Sequence, residues 1–287
     1  MPGENGGVVE AARQPSIWAR MLGSMLQTAR EVAGLSYDDA AARLGREADW
    51  LARVETGFAA AGPDEVARIL TGYGVRAATA ADTMIDLARR VAAPPPWLAP
   101  HTPGMSAATR DVLVTEAEAT LAQLHGFRLM PALAQTEGYF RQIAPRVWPG
   151  CDVGQEWDLL SHRQAHQPAG VTRLLEVIID ESALDLRLQN PEAMAGQIRH
   201  LLTLAASPHA TVQVVPADAP FWEGRGHQFD ILSFAGTTDR IGVTYTVLGA
   251  KLATSDLHDL WTRIKTTAAA GLTQSRDILE RHLAALS

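Results

Sequence analysis

Two histidines, His162 and His166, stand four apart in "SHRQAHQ" (161–167). On a helix that spacing puts both imidazoles on one face, as zinc ligands can be. The third ligand is not obvious: His227, Asp158 or Glu156 would have to arrive. The segment therefore reads as a solvated helix face, and no metal site is expected. Asp180 and Glu181 close the strand-like run "LLEVIID", where acid–base groups often sit. Three residues before Leu184, Glu181 equally looks like the start of a helix, favoured by the helix dipole. The loop "APFWEGRGHQF" (219–229) sets Phe221 and Trp222 beside Glu223, Arg225 and His227. Apolar walls with a few polar groups describe a small-molecule pocket, and equally a loop folded over the core or an inter-subunit contact. Its candidate lining is Tyr139, Trp148, Trp222, His227 and Tyr245, with Trp157 as a further wall. Cys151 is the only cysteine, which rules out an internal disulfide and a cysteine-based zinc site. There is no Gly-rich phosphate loop and no nucleophile elbow. No catalytic residue and no cofactor is expected.

A second set of residues has a different chemistry. "GLSYDDAAARLGREADWLARVETG" (34–57) has the shape of a helix, a tight turn and a second helix, the shape that reads DNA. Arg43, Arg46 and Arg53 are its candidate contacts to phosphate or base edges. Ala48 offers a methyl contact to thymine, Asp49 can accept from a cytosine amino group, and Thr56 lies on the same exposed face. Against these stand Glu47 and Asp49 themselves. Residues 16–75 carry six arginines and eight acids, a net charge of -2. The whole chain carries -7, which argues against a generic polyanion binder.

The elements that must position these groups fall in two halves. At 287 residues, two domains are the better expectation. A Gly-rich start (1–15) reads as a flexible arm without the basic and apolar blocks of a secretion signal. Residues 16–92 read as five helices. The first, 17–32, carries Trp18, Met21, Leu22, Met25, Leu26, Ala29 and Val32 on one stripe. Gly34 ends it, Ser36 caps the second helix with Asp39 in box position, and Gly45 makes the next turn. Trp50, Leu51 and Val54 face inward from the third helix, Pro63 opens the fourth, and the fifth runs over 79–91. The Pro-rich stretch 93–104 reads as an extended linker.

Residues 105–287 read as α+β with a small sheet. Helices are expected over 106–125, 132–144 and 154–167, from Pro191, and from about Ser255 and Ser275. Strands are expected over 174–180, 211–216, 229–234 and 241–248. No apolar run approaches the ~18 residues a membrane span needs, so no membrane association and a cytoplasmic location are expected.

The front half resembles the Cro/C1-type (Xre) helix-turn-helix family. Leu22–Gly23, Arg30, Gly34–Leu35–Ser36, Ala41, Leu44–Gly45, Trp50, Val54, Glu55 and Gly57 fill the family's positions. The resemblance implies a third helix in the major groove and dimers on paired half-sites of double-stranded DNA. The back half resembles the DUF5753 domain of Scr1-type antitoxin-like regulators of actinobacteria. Pro131, Leu133, Gln135–Thr136, Tyr139, Arg163, Asp180–Glu181, Leu184, Gln197 and Pro216 carry that likeness, and Ala132 and Ala134 depart from it. It implies a regulator of development or secondary metabolism, a homodimer that answers to a small-molecule effector or small partner protein. The rival expectation is a degenerate helix-turn-helix scaffold reused as a ligand-binding protein or enzyme, which the acidic third helix motivates.

Overall fold

Gly45 takes the left-handed conformation (φ 63°) between two short helices, a backbone shape that costs glycine nothing. It is the pivot of the first unit. The computed structural model describes residues 15, 17–92, 95–168, 171–220, 226–235, 238, 240–246, 249–253 and 257–286. The expected arm, apart from Pro15, lies outside the described residues. The chain divides between Ala99 and Pro100 into two compact units.

The first unit is all helical: α1 (Ile17–Val32), α2 (Tyr37–Leu44), α3 (Ala48–Glu55), α4 (Pro63–Tyr73) and α5 (Ala78–Ala92). Ser36 Oγ accepts the Asp39 N–H at 3.1 Å and donates to the Asp39 carboxylate at 2.7 Å, the capping pattern expected from spacing. Trp18, Leu22 and Leu26 are buried along α1, but Val32 is 84% exposed. The inward place in the last turn of α1 is taken by Arg30, only 6% exposed. A charged residue holds it because Glu55, 3% exposed at the end of α3, neutralises it. Arg30 Nε and Nη2 donate to both Glu55 oxygens, the shortest contacts 2.9 Å, and Nη1 donates to the Leu35 carbonyl. The Tyr73 hydroxyl from α4 donates to Glu55 at 3.1 Å, and the guanidinium lies 3.9 Å from the Tyr37 ring centre. Four helices thus meet on one buried ion pair.

The α1–α3 crossing is close enough to require glycine. A Cβ on Gly23 would overlap the Glu55 carbonyl oxygen and sit 2.8 Å from that of Val54. Both obstacles are backbone and cannot rotate away. Gly23→Ala is therefore expected to destabilise the unit by about 3 kcal/mol, the upper end of ordinary overpacking. Urea unfolding followed at Trp18 and Trp50 measures it, and a loss below ~0.5 kcal/mol would contradict the crossing geometry.

The second unit is α+β. Its strands are β1 (Leu121–Gly126), β2 (Leu174–Asp180), β3 (Ala210–Val215), β4 (Phe229–Ser233), β5 (Arg240–Thr246) and β6 (Gly249–Leu252). They form one mixed sheet in the order β3-β2-β1-β4-β5-β6, with β1, β2 and β3 parallel and β4 to β6 antiparallel. The helices are α6 (Ala107–Ala117), α7 (Glu137–Val147), α8 (Val153–Ala165), α9 (Pro191–Ala205), α10 (His258–Arg263), continued by one π turn over Ile264–Ala268, and α11 (Leu272–Ala285).

The sheet is larger than expected. β1, at its centre, lies inside the stretch expected to be the helix 106–125, and β6 was expected to be neither helix nor strand. Between β2 and β4, β1 is covered on both faces, so its residues show no period-2 alternation. The helix expected from about Ser255 runs from His258 and ends in a π turn over Ile264–Ala268; residues 254–256 lie outside the described residues. Pro96–His101, within the stretch expected to be an extended linker, is a 3-10 helix. No helix among the described residues is long and apolar enough to cross a membrane.

Candidate functional site

The surface expected to contact DNA is built by α2, the turn at Gly45 and α3. Glu47 is the N-terminal cap of α3 but its side chain makes no capping hydrogen bond, so the first helical N–H groups remain available. Asp49, Arg53 and Thr56 are exposed, and Ala48 is half-buried. The Thr56 hydroxyl donates to the Ala52 carbonyl at 2.8 Å, which leaves it acceptor capacity only. Arg43 is exposed at the end of α2, with one long hydrogen bond, 3.4 Å, to the Gly72 carbonyl. Arg43 and Arg68 line an open groove of about 430 Å³ between α2 and α4, together with Leu44, Ala67, Thr71 and Gly72.

Arg46 is not free. It pairs with Glu65 of α4 and lies over the Trp50 ring, 4.9 Å from its centre. The Arg46 side chain keeps 45% of its exposure. A pair that exposed contributes about 0–1 kcal/mol, so a phosphate can displace it at small cost. The Arg53 side chain makes no hydrogen bond or ion pair among the described residues. Of the three arginines, it alone presents an uncommitted guanidinium.

In the second unit the expected pocket residues have separate settings. Tyr139 is wholly buried, and its hydroxyl accepts the Met130 N–H at 3.1 Å; burial pushes its pKa up to about 12. Trp148, at the end of α7, is 48% exposed with its ring 6.3 Å from that of Phe140. His227 is exposed, and its carbonyl accepts from His125 Nδ1 at 2.9 Å. Trp222, with Phe221, Glu223 and Arg225, lies outside the described residues. Tyr245 on β5 donates its hydroxyl to the Asp230 carboxylate of β4.

That last contact belongs to a polar cluster that residue types alone did not reveal. The register places Asp230 in a row running Val212, Val177, Leu124, Asp230, Val243 across five strands, all on one face and all buried. Burial pushes the Asp230 carboxyl up to about 7, and the nearby Glu116 charge adds to it against the Tyr245 hydroxyl and Arg163. A backbone hydrogen bond from His125 works against the rise, and burial outweighs it. Burial and Asp230 together hold Tyr245 protonated. Arg163 of α8 grips Glu116 of α6 through two bonds of 2.9 and 2.7 Å, and Arg173 donates to the Glu116 carbonyl at 2.8 Å. The signal available in the sequence was a lone aspartate inside the apolar run "FDILSF". On the opposite face His125, fully buried, stacks on Phe229 at 5.0 Å, and burial lowers its pKa to about 4.

The remaining candidates are structural. Asp180 Oδ1 accepts the Ser182 N–H, opening a 3-10 turn. Glu181 accepts the Ala217 N–H and pairs with His282 at 2.9 Å. Gln197 accepts from Thr136 N–H at 2.7 Å and donates to the Ala134 carbonyl. His166 is the C-terminal cap of α8, its N–H donating to the His162 carbonyl at 2.9 Å, and among the described residues it joins no group of three or more that could hold a metal. His162 approaches Asp158 and His101 instead.

Comparison with known families gives two matches. Residues 109–281 match the model described as Domain of unknown function (DUF5753), and residues 21–82 match the model described as Helix-turn-helix domain. No curated protein and no solved structure matches the chain.

Proposed function

The chain belongs to the DUF5753 family, its family domain preceded by a helix-turn-helix domain, and on that premise we propose that it is a DNA-binding transcriptional regulator of the cytoplasm. The observation that carries the reading is an α2–turn–α3 hairpin whose scaffold is locked by Arg30 and Glu55 while Arg53 stands open on the reading helix. α3 enters the major groove, Arg53 and Arg43 neutralise phosphates, and Arg46 exchanges Glu65 for a third. Asp49 sits where it favours a cytosine amino group, which narrows the sequences accepted. A homodimer is the form that suits paired half-sites. The second unit takes the signal, a small-molecule effector or a small partner protein. The exposed acids of α3 and the Arg46–Glu65 pair favour the rival use of the scaffold, as a ligand-binding protein or enzyme.

The test is capture of genomic fragments by the native full chain, followed by titration of the enriched duplex between about 50 and 200 mM salt. Arg53→Ala is expected to reduce the magnitude of the log K against log salt slope by about 1 and to weaken binding roughly tenfold at the lower salt. Arg68→Ala, on α4, is the comparison. Absence of enrichment, or an Arg53→Ala slope equal to that of the native chain, overturns the proposal for this surface.

A further inference from the structure

The geometry points to a zinc site made by His101, Asp158 and His162, independent of the DNA reading. All three belong to the second unit: His101 ends the short 3-10 helix at its start, and Asp158 and His162 stand one turn apart on α8. The carboxylate lies between the two imidazoles. Its Oδ2 is 3.5 Å from His101 Nε2 and its Oδ1 is 3.7 Å from His162 Nδ1. One donor atom from each residue lies within 4.8 Å of the other two. Zinc bonds to nitrogen and oxygen run about 2.0–2.1 Å, so the edges of a tetrahedron around the ion are about 3.3 Å. The two distances run to different oxygens of Asp158, and the one-atom-per-residue donor set lies within 4.8 Å, so closing onto one ion takes side-chain movement of up to about 1.5 Å.

The donor types select the ion. Two imidazoles and one carboxylate suit zinc and its neighbours, whereas magnesium and calcium prefer oxygen alone. Three protein ligands leave a fourth position, and with Asp158 59% exposed and His162 46% exposed, water can fill it. On binding, His162 Nδ1 gives up its 2.8 Å hydrogen bond to the Asp158 carbonyl, which still accepts from the Ser161 hydroxyl at 2.8 Å. His101 brings a ligand from a distant part of the chain, so the ion pins the entry to the second unit onto α8.

The test uses the metal alone. Cobalt(II), which takes the same donor set, is titrated into the full chain after chelator treatment, with zinc as competitor. One equivalent is expected to bind with the visible absorption of a four-coordinate ion and to be displaced by zinc. Zinc is expected to slow amide exchange around residues 98–103 and 158–165. His101→Ala, Asp158→Asn and His162→Ala are each expected to weaken binding by more than the roughly 10- to 100-fold that losing a supporting partner costs. His209→Ala, at an exposed histidine elsewhere, is expected to leave it unchanged. Asp158 and His162 are surface residues, and circular dichroism of each variant checks that it folds. Absence of stoichiometric binding, or binding that survives in all three variants, overturns the site.

Discussion

Glu55→Ala is expected to remove about 3–5 kcal/mol from the stability of the helix-turn-helix unit, the cost of leaving a buried charge without its partner. The carboxylate is 3% exposed and receives donors from Arg30 and Tyr73, so truncating it strands a guanidinium that is 6% exposed. Water cannot replace the lost bonds without opening the α1–α3 contact. Native-state amide exchange of the full chain locates the effect: protection in α1 and α3 is expected to collapse, while that of β1 and β2 is retained. Tyr73→Phe removes one bond and is expected to cost only about 1 kcal/mol. The paired replacement Arg30→Met with Glu55→Leu removes both charges together and is expected to recover most of the loss. If Glu55→Ala costs less than Tyr73→Phe, the pair does not hold the unit. Arg30 is committed to the core, so its charge is not presented on the surface of the unit.

The second unit is expected to lose stability as pH rises through about 7, and Asp230→Asn is expected to remove that loss. The folded carboxyl titrates at about 7 against an ordinary value of 3.8. A raised folded value means that the folded state holds the proton more tightly. The stability it contributes is full below 3.8, declines above it and is gone once pH exceeds 7. At about 1.4 kcal/mol per pH unit, the interval caps the effect at roughly 4 kcal/mol. His125 acts in the opposite sense. Its folded value of about 4 lies below the ordinary 6.5, so its contribution is present above 6.5 and is lost as pH falls through 4. The two oppose each other below pH 6.5, so the informative quantity is native chain minus Asp230→Asn. That difference is expected to grow as pH falls from 8 to 5 in urea unfolding at each pH. Asparagine keeps an acceptor for the Tyr245 hydroxyl, which separates loss of the charge from loss of the bond. Parallel pH curves for the two proteins would show that Asp230 is ionised in the fold.

Much of the first unit is legible residue by residue, because its signals are local. Ser36 three before Asp39, Gly45 after Leu44 and Pro63 before Asp64 act within one helical turn, and each works as its type predicts. The misplacement of Val32 is the instructive exception. Periodicity ranks residues by hydropathy, and it cannot know that a distant Glu55 will make the interior of α1 fit for Arg30. In the second unit β1 was misread for a related reason. Gln123 and His125 are polar, yet both are buried, Gln123 donating to Glu176 and His125 to the His227 carbonyl, so the strand carries no polar–apolar alternation to betray it.

Residue order alone determined the two-part architecture, the turn and caps of the helix-turn-helix, and the sparse basic character of its reading face. Those features rest on contacts within a few residues or on composition, so no fold is needed to see them. Tertiary structure decided which arginine is uncommitted and which is paired, why Asp230 sits in an apolar row, and which groups stand near His162. Each of those depends on partners brought from elsewhere in the chain, such as Glu65 against Arg46 or His101 against Asp158. Charge, proton affinity and ligand geometry are properties of such encounters in space, and a linear pattern does not contain them.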